Sequence, residues 1–281
     1  MLRGELVSCD SMQLYRGMDI GTAKPTSTER ELVPHHLLDV LDPNEKCSAA
    51  RYRDLAKPQI DALFTNGIQP ILCGGTGLYI DALTKPRGFS IEGDSALRED
   101  LASMDKQLLH DKLAQLDPDS AVRLHVNDVR RVIRAIEVYQ LTGITLTEQL
   151  KQDSMKMGDY QSMLFALDWP RELLYERIDR RVDEMMEEGL IDEVRRLLNA
   201  GIPVGSTALQ AIGYKEIITV LCGHVRMEQA IDQIKQATRN YAKRQLTWFR
   251  RDSRVHWIEA NNRSIDSIAG EMITIWKGNA Q

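Results

Sequence analysis

Val7-Ser8-Cys9-Asp10-Ser11-Met12-Gln13-Leu14-Tyr15, running into Gly17-Met18-Asp19-Ile20-Gly21-Thr22-Ala23-Lys24-Pro25, is the stretch from which the fold can be read. Leu6 and Val7 read as the end of a buried strand. The strand stops at a small polar cluster that places a carboxylate, a hydroxyl and an amide at its C-terminal edge. In an open α/β sheet that edge is where ligands bind. A general base needs a carboxylate on a fixed element facing a cleft, and Asp10 is placed for that role. Asp10 and Ser11 equally suit the cap of a following helix, and spacing alone favours the cap.

A second strand end lies further on. Gln69-Pro70-Ile71-Leu72-Cys73 is a short buried-strand pattern, followed at once by Gly74-Gly75-Thr76-Gly77 and a helical run. Strand, glycines, helix is an arrangement that brings backbone N–H groups close to a phosphate, with the helix dipole favouring the anion. A G-G-T-G on its own also serves as a plain tight turn.

Composition bounds the rest. The chain has 281 residues, enough for one large or two modest domains, and 43% hydrophobic content supplies a core. A net charge of −5 does not point to a nucleic-acid binder, so the distribution of charge matters more than its sum. Cys9, Cys47, Cys73 and Cys222 contain no C-x-x-C pair, which argues against a zinc site or a disulfide framework. No run is long enough to span a membrane, and a soluble cytoplasmic protein is expected. His35 and His36 lack a metal-spaced partner and read as structural.

Helical signals fill the remainder. A helix is predicted over roughly 49–65, kinked at Pro58. From Phe89 to Met157 the texture becomes charged and helical, with helices over Asp94–Ser103, Asp105–Leu116 and Asp128–Leu141, the last stopped by Gly143. On that helix Arg130 and Arg131 each share a face with Arg134. The cluster suits phosphate contacts, or a solvated face partly neutralised by Glu137. Met163–Trp169 reads as a strand, and Pro170 opens a helix carrying Arg177, Arg180 and Arg181. A long helix from Met227 to about Arg251 carries Lys235, Arg239, Lys243, Arg244, Arg250 and Arg251 with few acids to offset them. Tyr241, Trp248 and Phe249 interleave with those bases; they suit stacking on nucleotides or packing in the core, and Trp248 is assigned to the core. A strand (Val255–Ile258) and a helix (Ser264–Trp276) close the chain.

The motif S-x-D-S-M-Q-x-Y followed by G-M-D-I-G-T-A-K-P resembles the signature of bacterial tRNA dimethylallyltransferases. The resemblance continues through Pro34–Asp39, Gly74–Tyr79, Asn127-Asp128 with Arg130–Arg134, Gln210–Lys215 and Arg239–Arg250. It implies an α/β fold with a P-loop-kinase-like parallel sheet over residues 1–88 and 159–281, and an all-helical insertion domain contacting tRNA over 89–158. The implied reaction moves a dimethylallyl group from dimethylallyl diphosphate to N6 of adenosine-37, 3′ of the anticodon, in tRNAs reading UNN codons. Asp10 is then the base. Thr76 and Arg181 bind the pyrophosphate, with Mg²⁺ as cofactor. Asp10, Ser11, Met12, Gln13 and Thr76 lie beside the extruded nucleotide. Arg98, Arg130, Arg131, Val132, Ile133 and Arg134, together with Gln210, Ala211, Ile212, Gly213, Tyr214 and Lys215, are the implied contacts to the tRNA anticodon stem-loop. A monomer is expected.

That family opens with a strand, a phosphate loop G-P-T-A-x-G-K-T and a helix ahead of the S-x-D-S block. Here the block begins within ten residues of Met1. A sheet lacking that strand is expected to expose unpaired edges, and a chain lacking the loop to bind tRNA weakly and transfer little. The alternatives are a non-catalytic tRNA-binding remnant and an adenylate isopentenyltransferase, the latter disfavoured by the helical insertion and the basic helix.

Overall fold

A computed structural model describes residues 3–85, 93–155 and 158–279. The chain divides into two compact units, one of residues 1–48, 54–80 and 162–281 and one of residues 49–53 and 81–161.

The first unit is built on parallel strands. β1 (Gly4–Ser8) is followed by α1 (Ser27–Leu32), β2 (His35–His36), α2 (Ala49–Thr65) and β3 (Gln69–Cys73). β1 lies between β2 and β3 and runs parallel to both, with Leu6 opposite His35 and Ser8 opposite Cys73. Gln69 to Cys73 is a strand because a short apolar run is bounded by Gly67 on one side and Gly74 on the other. α2 remains one helix through Pro58. Its first residues belong to the second unit.

The second unit is wholly helical among the described residues. α3 (Gly77–Thr84) begins in the first unit and ends in this one, and is followed by α4 (Ser95–Ser103), α5 (Lys106–Leu116), α6 (Pro118–Arg123), α7 (Val129–Thr142) and α8 (Leu146–Ser154). Capping is written in the sequence: Asp94 accepts from the N–H groups of Ala96 and Leu97, and Asp105 from those of Gln107 and Leu108. Asp117 ends α5 and caps α6, so the Asp-Pro step starts a helix as well as ending one. Gly143 closes α7 at φ +72°. Leu101, Leu109, Leu113, Val132, Ile133 and Ile136 form the core of this unit. Each such side chain contributes about 1.5–3 kcal/mol by leaving water. The segment expected as an insertion, 89–158, falls within this unit, although its first boundary lies outside the described residues.

The chain then returns to the first unit with β4 (Leu164–Asp168), α9 (Arg171–Glu187), α10 (Leu190–Asn199), α11 (Tyr214–Leu221), α12 (Met227–Arg250), β5 (Val255–Glu259) and α13 (Ile265–Asn279). β4 and β5 pair in parallel as a separate two-stranded sheet, so β3 and β4 each end a sheet. α9 and α12 pack together, bridged by Asp183 to Lys235 and Asp179 to Arg239. Along its own length α12 has few acids to offset its basic residues. Two of them are paired by acids of α9, which no reading along α12 alone could supply.

Candidate active site

The C-terminal ends of β1 and β3 meet at Asp10 and Thr76. The N–H of Cys9 donates to the carbonyl of Cys73 at 2.7 Å and that of Thr76 to the carbonyl of Cys9 at 3.1 Å, stitching the two strand ends together. Gly74, at φ +154°, crosses so close to the Cys9–Asp10 peptide that a Cβ there would clash with backbone. Thr76 Oγ1 accepts from the Ser11 N–H at 3.0 Å and donates towards Ser11 Oγ at 3.4 Å. Asp10 Oδ1 accepts from the N–H groups of Met12 (2.7 Å) and Gln13 (3.3 Å). One oxygen of Asp10 thus caps a turn, where the sequence suggested a helix, and Oδ2 makes no such bond among the described residues. Burial pushes the Asp10 carboxyl above its ordinary range, only partly offset by the two backbone donors.

The C-terminal half of α12 braces this loop. Gln245 Nε2 donates to the Gly75 carbonyl at 3.0 Å. The Gln245 and Trp248 side chains occupy the space that a Cβ on Gly75 and on Gly77 would need. The Tyr241 hydroxyl lies within hydrogen-bonding reach of Thr76 and Gln245, and burial next to Asp10 raises its pKa. Trp248, assigned to the core from sequence, is only half buried and covers Gly77. Gln245 carried no signal of its own. The i, i+4, i+7 spacing of Tyr241, Gln245 and Trp248 was the available clue.

Other expected residues have different surroundings. Gln13 has its amide fully engaged: Nε2 donates to the carbonyls of Thr22 (3.2 Å) and Ala23 (3.3 Å), and Oε1 accepts from Ser8 Oγ (3.1 Å). Ser11 and Met12 remain half exposed. Arg181 is exposed on α9; Asp183 pairs with Lys235 and Glu184 with Arg180, so neither neighbouring acid is its partner. The Glu29 carboxyl of α1 is held below the usual glutamate range mainly by the Thr26 N–H and hydroxyl, with Arg181 a minor contributor, and among the described residues Arg181 makes no hydrogen bond or ion pair with Asp10 or Thr76. Gln210 and Lys215 are exposed and Ala211 and Ile212 half buried. Gly213 and Tyr214 are buried, and the Tyr214 hydroxyl donates to Glu193 at 2.6 Å.

In the helical unit, Arg130 and Arg131 are exposed, Arg131 pairing with Asp128 at 2.6 Å. Val132 (0% exposed) and Ile133 (7%) pack in the core of this unit. Arg98 and Arg134 both reach the buried Glu137, at 2.8 and 2.6 Å, and the Asp94 N–H donates to it at 2.8 Å. Burial works against the Glu137 charge, but these donors outweigh it and hold the carboxyl below the usual glutamate range. Among the described residues no group of three His, Cys, Asp or Glu side chains gathers where a metal ion could be held, and no helix is long and apolar enough to cross a membrane.

Residues 13–252 match the model of the IPP transferase family. A tRNA dimethylallyltransferase of Halalkalibacterium halodurans is 47% identical over 270 residues, covering 94% of this chain and 86% of that protein. One of Desulforamulus reducens is 44% identical over 284 residues, covering 96% and 100%. Among solved structures, a full-length tRNA isopentenylpyrophosphate transferase from Bacillus halodurans superposes with a TM-score of 0.73 at 44% identity, covering 99% of this chain and 88% of that one. A eukaryotic dimethylallyltransferase acting on tRNA gives 0.83 at 29% identity, covering 96% and 71%.

Proposed function

The chain belongs to the IPP transferase family, and from that premise we propose that it acts as a monomer to transfer a dimethylallyl group from dimethylallyl diphosphate to N6 of adenosine-37 in tRNAs reading UNN codons. The observation that carries this reading is Asp10, anchored through Oδ1 at a strand end beside Thr76 while Oδ2 makes no hydrogen bond among the described residues.

An exocyclic adenine amine is a weak nucleophile. Oδ2 of Asp10 accepts a hydrogen bond from N6–H, and the proton passes to it as the N6–C1 bond forms and the C1–O bond to pyrophosphate breaks. A carboxyl whose pKa is raised by burial is a stronger base than an ordinary aspartate once ionised. Thr76, at the start of α3, supplies a hydroxyl and a helix N-terminus towards the departing pyrophosphate, and Arg181 supplies charge. The target base leaves the anticodon-loop stack to reach Asp10. Mg²⁺ belongs to the proposal as a neutraliser of the diphosphate. Thr76 Oγ1 and Asp10 Oδ1 already accept backbone N–H groups, so no step is assigned through the ion.

The test is Asp10→Ala in the protein made from its own chromosomal locus. Dimethylallyladenosine in bulk tRNA, read by mass spectrometry, should fall by about 10²–10⁴-fold in rate. Binding of the tRNA by the purified variant should change little. Equal loss of binding and transfer would refute the role of Asp10 as base. AMP offered in place of tRNA should be a poor acceptor.

A further inference from the structure

Glu193 of α10 takes no part in the chemistry above, yet it is 1% exposed and engages more donors than any group at the site. Its Oε2 accepts from the N–H groups of Asp19 and Ile20, both at 2.9 Å. Its Oε1 accepts from the Gly21 N–H at 3.1 Å and from the Tyr214 hydroxyl at 2.6 Å. Three successive backbone N–H groups turned to one point form an anion nest, and here the anion is supplied by the chain itself, more than 170 positions away. Gly21 is required beneath the Tyr214 ring, because a Cβ would come within 2.5 Å of it.

The far side of the same loop is fixed by Lys24. Its buried ammonium donates to the Tyr15 carbonyl (2.8 Å), Asp19 Oδ1 (2.7 Å) and Asp39 Oδ1 (2.6 Å). Between these two anchors the carbonyls of Thr22 and Ala23 receive the Gln13 amide, and the Gln13 backbone N–H donates to Asp10. Hydrogen bonds joined by short stretches of covalent chain thus run from Glu193 and Tyr214 through the 19–23 loop and Gln13 to the Asp10 turn.

We propose that Glu193, with Tyr214, is a positioning residue for Asp10, acting through the 19–23 loop and the Gln13 amide. This rests on the role of Asp10 given above. It also gives Gln13 and Tyr214 a common task, holding the base in place, in place of direct contact with RNA.

The experiment is a double-mutant cycle of Glu193→Gln and Gln13→Ala in the full chain, with Tyr214→Phe as a gentler variant that keeps the ring and loses only the 2.6 Å bond. Glu193→Gln turns an amide N–H₂ towards backbone donors, so it should lower kcat by about 10- to 100-fold, a displacement effect, with KM for dimethylallyl diphosphate little changed. The double variant should be no worse than Gln13→Ala alone; losses that multiply would overturn the proposal. Hydrogen exchange of the Gln13 side-chain N–H₂, followed by NMR, should quicken in Glu193→Gln and, less, in Tyr214→Phe. Unchanged exchange in both would also overturn it. If the wild-type protein transfers nothing, the proposed function fails, and the positioning role is then judged by the exchange measurement alone.

Discussion

Asp10 and Glu137 are both carboxylates withdrawn from water, one in each unit, and their protons are pushed in opposite directions. Asp10 meets two backbone N–H groups on one oxygen, so burial wins and its pKa rises. Glu137 meets two guanidinium groups and a backbone N–H, so the donors win and its pKa falls. On the proposed function, that difference would separate a group kept available for chemistry from one used to hold helices together.

The sharpest way to break this comparison is to delete both acids. Glu137→Ala leaves Arg98 and Arg134 without their shared partner and empties a buried site. It should cost about 2–3 kcal/mol in denaturant unfolding at pH 7, at or below the bottom of the range for breaking a buried pair because both arginines keep access to water. Asp10→Asn should cost nothing and raise the midpoint at pH 7, since it removes a buried charge that the fold under-compensates. A destabilised Asp10→Asn would show that Asp10 is a structural acid after all.

Acid titration should separate the two more finely. Because the folded-state pKa of Glu137 lies below its unfolded value, its contribution is complete above about pH 4.5 and is lost as pH falls through the depressed folded value. The folded-state pKa of Asp10 lies above its unfolded value. The fold therefore binds its proton more tightly, and stability falls as pH rises from about 3.8 through the raised value. The advantage of Asp10→Asn over wild type should vanish below pH 3.8. A constant gap across that window would mean that the Asp10 charge is not what the substitution relieves.

Much of this was legible in sequence because it is local. The helix starts at Asp94 and Asp105, the stop at Gly143 and the strand ends at Ser8 and Cys73 follow from residues within a few positions of each other. What was not legible depends on contacts across the chain. α10 was passed over even though Leu190, Val194 and Leu197 give it an apolar face, and with it Glu193, whose acceptor role exists only when residues 19–21 fold against it. Tyr214 sits in a motif that reads as an RNA contact, and its buried bond to Glu193 could not be seen from that motif. The acids of α9 that pair with α12 were visible as letters but not as partners.

The smallest effect tests whether the arginines around Glu137 are divided in their duties. Arg130 is exposed on α7 and makes no hydrogen bond or ion pair among the described residues, whereas Arg134 is bound to Glu137 at 2.6 Å. A phosphate contact is bought with counterion release, so an arginine that touches RNA should leave its mark on salt dependence and not on folding. Arg130→Ala should weaken tRNA binding a few-fold and reduce the slope of log K against log salt by about one, with the unfolding midpoint unchanged. Arg134→Ala should instead lower the midpoint, since it leaves a buried carboxylate with one guanidinium fewer, and should alter the salt slope less. If both substitutions moved the salt slope equally and neither moved the midpoint, the Glu137 cluster would be part of the RNA-facing surface and the contrast with Asp10 would have to be redrawn as two sites that both meet the substrate.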